Sequence, residues 1–168
     1  MTMQDKIYHV LFICTGNSAR SIMAEAVMNQ LGQGRFRAYS AGSLPRGEVH
    51  PLTLSTLAEQ GYPTAGLSSK PWEVFAGPDA PAMDFVFTVC DQAAGEACPV
   101  WPGQPMTAHW GFADPAAQVS DDPAQARKAF TAALAQITTR IRLFLSLPLD
   151  KLDRLSLQAH LRELGRPA

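Results

Sequence analysis

A cysteine and an arginine near the start of the chain form a pattern that suits nucleophilic attack on a bound anion. Cys14 ends an apolar run, and the polar loop TGNSA leads from it to Arg20. A loop between a strand and a helix N-terminus presents unpaired backbone N–H groups, which bind anions. Arg20 adds a planar grip on two oxygens. The same positive field lowers the pKa of a cysteine thiol, so the pattern predicts an oxyanion site with Cys14 as nucleophile.

The spacing of these two residues has a second explanation. A buried Cys14 that only ends its strand, with Arg20 in a surface ion pair, would give the same pattern. The motif GxxxxGK[ST] is absent, which excludes a Walker-type phosphate loop. Gly16 gives the backbone room to curl around an oxyanion, and Asn17 tolerates a left-handed backbone. The predicted oxyanion-binding residues are Thr15, Gly16, Asn17, Ser18, Ala19, Arg20 and Ser21.

The composition of the whole chain limits its function classes. The chain has 168 residues, a hydrophobic content of 46% and a formal net charge of -1. These values predict one domain with a sizeable core, and they argue against nucleic acid as the main partner. No stretch has the pattern of a secretory signal or of a membrane span. Three cysteines are too few for a disulfide-stapled secreted domain, so we expect a cytoplasmic protein.

Hydrophobic periodicity predicts the elements that must position the loop. Strands are predicted at residues 7–13, 36–41, 83–90 and, more briefly, 106–110. Helices are predicted at 18–31, 50–61 and from an Asp121 cap to Pro148, with a helical turn at 70–76 and an amphipathic segment at 150–164. Strands that alternate with helices predict an α/β fold with a parallel sheet covered on both faces.

Two of the helices show stripes of apolar side chains that we expect to face the core. The stripe of the long helix comprises Ala126, Phe130, Ala133, Leu134, Ile137, Ile141 and Phe144. The stripe of the last segment comprises Leu152, Leu155, Ala159 and Leu164. Packing of the last segment onto the rest of the chain is the simplest expectation, and self-association is the alternative.

Five separated motifs resemble one family. The strings CTGNSARS, YSAG (39–42), TVC (88–90), CP (98–99) and HWGFADP (109–115) recur in this order in arsenate reductases built on the low-molecular-weight tyrosine phosphatase fold. The resemblance implies a four-stranded parallel sheet with helices on both faces and a ligand site at the carboxyl ends of the strands. It also implies one domain at 1–148, and we expect 149–168 to be a helical extension packed on that domain.

The resemblance to arsenate reductases implies a sequence of chemical steps. Cys14 attacks arsenate, Arg20 and the loop N–H groups hold the oxygens, and Asp114 protonates the departing hydroxyl. Cys90 then attacks the Cys14 sulfur and expels arsenite, and Cys98 attacks Cys90 to free Cys14. The enzyme would serve arsenate detoxification and arsenical resistance.

The resemblance also implies partners and a possible cation site. Arsenate is the expected substrate, and phosphate or sulfate can occupy the same loop. Thioredoxin is the expected electron donor, glutaredoxin with glutathione is the alternative, and no tightly bound cofactor or metal is expected. Some relatives hold a potassium ion beside the loop, at positions that match Asn17, Glu25, Ser40 and an aspartate. Lys70 stands at the aspartate position, and we expect its ammonium group to replace the ion.

Two other functions fit parts of the same pattern. A low-molecular-weight tyrosine phosphatase would use the same Cys14, Arg20 and Asp114 to hydrolyse phosphomonoesters. Such phosphatases usually have tyrosines just after the Asp-Pro pair, where this chain has Ala116, Ala117 and Gln118. The third function is a non-catalytic oxyanion-binding module whose cysteines only pack. The paired cysteines favour the reductase, with residual phosphatase activity as a side reaction.

Overall fold

The structure is a computed structural model that describes residues 7–77, 79–89, 105–115, 122–149 and 151–165. Its strands are β1 (Tyr8–Ile13), β2 (Phe36–Ala41), β3 (Phe85–Thr88) and β4 (Met106–His109). They form one sheet in the order β2-β1-β3-β4, and every neighbouring pair is parallel. The predicted four-stranded parallel sheet is therefore confirmed, although β3 is shorter than the predicted span 83–90.

The helices lie near the predicted positions. They are α1 (Arg20–Leu31), α2 (Pro51–Glu59), α3 (Pro123–Leu145) and α4 (Arg154–Leu164), with a 3₁₀ helix at Trp72–Phe75. The prediction of Asp121 as the cap of α3 is wrong by one residue. Asp122 is the cap, and its carboxylate accepts a hydrogen bond from the backbone N–H of Ala124 at 3.0 Å. Pro123 occupies the first helical turn, which forces the residue before it into the extended conformation that a cap requires.

The core surrounds β1, the inner strand whose residues Val10–Ile13 are fully buried. Burial of consecutive residues means that both faces of the sheet are covered. On one face, the Phe144 ring of α3 lies 5.2 Å from the Phe85 ring. On the other face, the Phe75 ring of the 3₁₀ helix lies 5.4 Å from Tyr39. All seven residues of the predicted α3 stripe are buried, which confirms that prediction.

The parallel register brings the ends of the strands to one edge of the sheet. Ile13 of β1 pairs with Ala41 of β2 and with Thr88 of β3, and Thr88 pairs in turn with His109 of β4. The segments that follow these strands therefore start side by side. No helix within the described parts of the chain is long and apolar enough to cross a membrane.

The predicted stripe of the last segment is wrong at two of its four positions, whereas Leu152 and Leu164 pack against the core as predicted. Leu155 is 84% exposed and Ala159 is also exposed, whereas Leu157 and Leu161 face the core. The helix begins only at Arg154, after an Asp153 cap, and its packing against β4 and α3 selects a different face. Leucines occur on both faces of this short helix, so periodicity alone did not identify the buried one.

Alanine substitution at two leucines of α4 tests this packing. We expect Leu161→Ala to lower the free energy of unfolding by about 2–5 kcal/mol, because it removes a fully buried side chain. Leu155→Ala is the matched control, and we expect a change within about 0.5 kcal/mol. Urea denaturation measures both values. Equal losses in the two variants would contradict the observed orientation of the helix.

Candidate active site

A cavity of about 170 Å³ opens at the carboxyl edge of the sheet, directly after β1. Its walls are formed by Cys14, Thr15, Gly16, Asn17, Ser18, Ala19, Arg20, Leu44, Arg46 and Asp114. Cys14 is only 5% exposed, so its thiol is shielded from bulk solvent on one side and lines the cavity on the other. The structure thus brings together Cys14, Arg20 and Asp114, as the sequence predicts.

The carbonyl groups of the loop between β1 and α1 are held from outside. The Thr15 carbonyl accepts a hydrogen bond from the Leu44 N–H, and the Gly16 carbonyl accepts one from the Arg46 N–H, both at 3.0 Å. The Ser18 carbonyl accepts two bonds, from the His50 N–H at 3.0 Å and from the Thr53 hydroxyl at 2.9 Å. The Ala19 carbonyl is bonded to the Met23 N–H within α1, at 2.8 Å.

This outward direction of the carbonyls determines where the loop N–H groups point. In a trans peptide the N–H is antiparallel to the C=O, and the described residues contain no cis peptide bond. The N–H groups of Gly16, Asn17, Ala19 and Arg20 therefore point opposite to the bonded carbonyl of the residue before each. Because these four residues line the cavity, we infer that their N–H groups face it. Converging N–H groups at a helix N-terminus form an anion site.

Asn17 fixes the shape of the loop, as predicted. Its backbone is left-handed, with φ of 44°, and its side chain is fully buried. The side-chain amide donates to the Ser21 hydroxyl at 2.8 Å and accepts from the Lys70 N–H at 2.9 Å. Ser21 is fully buried, and its hydroxyl oxygen accepts this bond from Asn17, so its own O–H proton is not used in the bond and its predicted donation to the oxyanion stays a prediction.

Gly42 lets the loop lie against the end of β2. A β-carbon at this position would lie 2.5 Å from the Thr15 carbonyl oxygen and 2.8 Å from that of Cys14. The Gly42 N–H donates to the Lys70 carbonyl, and its own carbonyl accepts from the Trp72 N–H, both at 2.9 Å. The glycine of the YSAG motif is thus required by this close backbone approach.

Arg20 is oriented by the segment that follows β4. One guanidinium nitrogen donates to the Phe112 carbonyl at 2.9 Å, and the other lies 3.6 Å from a carboxylate oxygen of Asp114. The Arg20 side chain is 14% exposed and that of Asp114 is 38% exposed. The Asp114 carboxyl is therefore open to solvent while it lies beside the guanidinium.

The four residues of the predicted cation site also come together. The Lys70 ammonium lies 3.9 Å from a Glu25 carboxylate oxygen, and the Ser40 hydroxyl donates to that same oxygen. Asn17 joins the cluster through the backbone N–H of Lys70. Burial raises the pKa of Glu25, whereas the Ser40 hydroxyl and Lys70 oppose the shift. Burial lowers the pKa of Lys70, and Glu25 opposes that shift.

Several predicted residues fall in parts of the chain that the structure does not describe. They are Cys90, Cys98, Ala116, Ala117 and Gln118. Val89, the residue before Cys90 in the chain, donates its N–H to the Ile13 carbonyl at 2.9 Å. The residue before Cys90 therefore lies beside the residue before Cys14.

Sequence reasoning did not identify three residues that contact or border the loop. Leu44 and Arg46 line the cavity, and His50, the cap of α2, lies beside the Ser18 carbonyl. One signal for them was present, since the segment SLPRGEVHP follows β2 after the single residue Gly42. A segment that leaves a parallel strand at its carboxyl end lies at the same edge as the ligand site. No group of three or more His, Cys, Asp or Glu residues that could hold a metal occurs among the described residues.

The comparison with protein families agrees with this geometry. Residues 9–156 match the model of the low molecular weight phosphotyrosine protein phosphatases. The chain belongs to this family. The matched range includes nearly all of β1, the whole loop of Cys14 and the segment of Asp114. It therefore contains all the residues that line the cavity.

Similar members of the phosphatase family are arsenate reductases. The arsenate reductase of Bacillus subtilis (strain 168) is 35% identical over 114 residues, which are 68% of this chain and 77% of that protein. A thioredoxin-dependent arsenate reductase of Corynebacterium glutamicum has a TM-score of 0.61 and 28% identity, over 86% of this chain and 64% of that one. An arsenate reductase in the phosphate binding state has a TM-score of 0.63 and 28% identity, over 83% of this chain and 97% of that one.

Acid should weaken the contact between α2 and the loop, because His50 is a cap that can be protonated. Its ring nitrogen Nδ1 accepts a hydrogen bond from the Leu52 N–H at 3.0 Å. Burial lowers the pKa of His50 from its usual 6.5, Arg46 lowers it further and Asp114 raises it. A lowered pKa contributes stability that is present above pH 6.5 and is lost as pH falls through the folded-state value.

The variant His50→Asn tests this pH dependence, because asparagine is a good cap that does not titrate. We expect the free energy of unfolding of the parent protein to fall more between pH 7 and pH 5 than that of the variant. Urea denaturation at the two pH values measures the difference. Parallel losses in both proteins would contradict a role of His50 in acid sensitivity.

Proposed function

We propose that the protein reduces arsenate to arsenite with Cys14 as the nucleophile. The observation that supports this most directly is the loop whose carbonyls are bonded outward while its N–H groups face the cavity of Cys14. Arsenate is a tetrahedral anion, and a ring of N–H donors closed by a guanidinium suits its oxygens. The arsenate reductases among the relatives support this substrate over a phosphate ester.

In the first step the Cys14 thiolate attacks arsenic. Arg20 and the loop N–H groups hold the oxygens that stay on arsenic, and they offset its negative charge. The Asp114 carboxyl gives its proton to the departing hydroxyl, which leaves as water. The product is arsenic(V) bound to the Cys14 sulfur, and no electrons have yet been transferred.

In the second step Cys90 supplies the means of reduction. Its thiolate attacks the Cys14 sulfur, a disulfide forms, and the electron pair of the sulfur–arsenic bond stays on arsenic. Arsenic(V) becomes arsenic(III) and leaves as arsenite, while the two thiols are oxidised. Support comes from the bond between Val89 and Ile13, because each residue directly precedes one of the two cysteines.

In the third step Cys98 restores the nucleophile. It attacks Cys90, and the disulfide moves from the Cys14–Cys90 pair to the Cys90–Cys98 pair. Reduced thioredoxin then returns two electrons to the protein, as the thioredoxin-dependent relative suggests. Glutaredoxin with glutathione is the alternative donor. Both donors are kept reduced in the cytoplasm, and we place the reaction there.

The Lys70 ammonium takes the place of a potassium ion in this proposal. Its support is the cluster in which Lys70, Glu25 and Ser40 meet behind the loop, with Asn17 bound to the Lys70 backbone. The fixed positive charge of Lys70 balances the negative charge of the buried Glu25 carboxylate. Without Lys70, a free cation would have to balance that charge. The loop is then held in its binding shape without a bound ion.

Hydrolysis of phosphate esters is the second candidate function, and the match to the phosphatase family favours it. The same Cys14, Arg20 and Asp114 would perform the first step, and water would replace Cys90 in the second. A protein that hydrolyses p-nitrophenyl phosphate but shows no arsenate-dependent oxidation of NADPH would be a phosphatase. A protein with neither activity would be an oxyanion-binding module.

Cysteine variants test the relay by counting arsenite. The assay contains the purified protein, arsenate, thioredoxin, thioredoxin reductase and NADPH, with no other thiol. We expect repeated turnover in the parent protein, about one arsenite per protein in Cys98→Ser, and none in Cys90→Ser or Cys14→Ser. Cys90→Ser should still bind arsenate, because Cys14 and its loop are unchanged. Turnover by Cys90→Ser at the parent rate would contradict the relay.

The potassium dependence of the rate tests the role of Lys70. We expect equal rates in potassium chloride and in choline chloride at the same ionic strength, since the ammonium group already neutralises Glu25. Lys70→Asp should need potassium, because two carboxylates would then share the cluster. Lys70→Met is the control that removes the charge but keeps the stem. A severalfold stimulation of the parent protein by potassium would contradict the proposal.

A further inference from the structure

The segment that bears Asp114 is tied at several points to its surroundings. It leaves β4 at Trp110, whose N–H donates to the Thr88 carbonyl at 2.7 Å, and the Phe112 N–H donates to the Val89 carbonyl at 3.2 Å. The Phe112 carbonyl then accepts the hydrogen bond from Arg20. Contacts that fix Trp110 and Phe112 therefore also fix the position of Asp114. They fix the Arg20 guanidinium as well, through its bond to the Phe112 carbonyl.

Trp110 is held by the C-terminal helix. Its indole N–H donates to the Leu161 carbonyl of α4 at 3.1 Å, and the side chain is 1% exposed. The ring lies flat on Phe87, with ring centroids 3.9 Å apart, and meets the edge of Phe144 at 5.7 Å. The indole is enclosed by β3 and α3, and its N–H points towards the end of α4.

Phe112 is held by Arg140 of α3, which also contacts α4. The guanidinium carbon of Arg140 lies 5.6 Å from the centre of the Phe112 ring, a distance at which a cation is attracted to the ring face. The same guanidinium donates a hydrogen bond to the Leu164 carbonyl. Arg140 thus links the last turn of α4 to the residue whose carbonyl orients Arg20.

Both contacts involve carbonyls of the last turn of α4, where a helix no longer supplies all the donors that its carbonyls need. Such groups require donors from elsewhere, and the negative end of the helix dipole favours N–H groups and cations. Trp110 and Arg140 supply those donors at Leu161 and Leu164. The match to the phosphatase family ends at residue 156, so this turn of the helix lies beyond it.

We infer that the end of α4 positions the Asp114 segment for the chemical step, through Trp110 and Arg140. This inference rests on the proposed function, in which Asp114 is the proton donor. Arg140 and Trp110 are positioning residues, because neither lines the cavity of Cys14: Trp110 begins the segment that leads to Asp114, and Arg140 contacts Phe112 within that segment. A general acid contributes only when it lies within hydrogen-bond reach of the leaving group, so a small displacement of this segment slows the reaction.

The variant Arg140→Met tests the inference, because it keeps the apolar stem but loses the hydrogen bond and the charge. Arg142→Met is the matched control, an exposed arginine two residues further along α3. Each substitution is made in the parent protein and in the Asp114→Asn protein, and kcat/KM for arsenate is measured with thioredoxin, thioredoxin reductase and NADPH. The melting temperature of every variant is recorded. Trp110→Phe, which keeps a ring but loses the N–H, is the second variant.

We expect Arg140→Met and Trp110→Phe to lower kcat/KM about tenfold in the parent protein and to have a clearly smaller effect once Asp114 is replaced, because the part that acts through Asp114 is then lost and only the part that acts through Arg20 remains. Arg142→Met should leave the rate unchanged in both backgrounds. Equal losses in both backgrounds, or no loss in the parent, would overturn the inference while the proposed function stands. A parent protein without arsenate-dependent oxidation of NADPH would overturn the proposed function, and the inference with it.

Discussion

The site depends on one constraint, which is that the loop after β1 turns its carbonyls away from the cavity. A loop of this length has as many acceptors as donors, and an anion would be repelled if both kinds faced it. The segment from Leu44 to Thr53 removes this conflict by bonding the Thr15, Gly16 and Ser18 carbonyls from outside. Selectivity for an anion therefore comes from the bonds behind the loop as much as from Arg20.

The constraint also explains why Asn17 and Gly42 are the residue types present. A left-handed backbone at position 17 is needed to turn the loop, and asparagine tolerates it while bonding to Ser21. A side chain at position 42 would collide with two carbonyls of the loop. The residue types at both positions matter through the shape of the loop, so the Asn17 side chain does not need to touch the substrate.

Much of the fold and the main site residues could be predicted from the sequence. The strand β2 was predicted at its observed bounds, and the buried stripe of α3 was identified in full. Such predictions succeed where a single pattern dominates, as in the alternation of strands and helices or in a long amphipathic helix. Cys14, Arg20 and Asp114 were predicted from motifs, and the structure places all three around one cavity.

The errors of prediction have physical causes. Asp121 and Asp122 are equally good cap residues, and only the position of Pro123 distinguishes them. In α4, leucines at 155 and 157 offer two apolar faces, and contact with β4 selects the second. The contribution of Arg46 and His50 depends on tertiary contacts with the loop, to which neither residue is close in sequence.

The order of the contacts along the chain has a consequence for how the protein assembles during synthesis. The bonds that hold the loop carbonyls come from residues 44 to 53, and Gly42 and Lys70 complete the surroundings of the loop. All of these precede β3, whereas Phe112 and Asp114 follow β4. Domains emerge from the ribosome with their N-terminal part first. All the groups that surround the anion cradle are therefore synthesised before its proton donor.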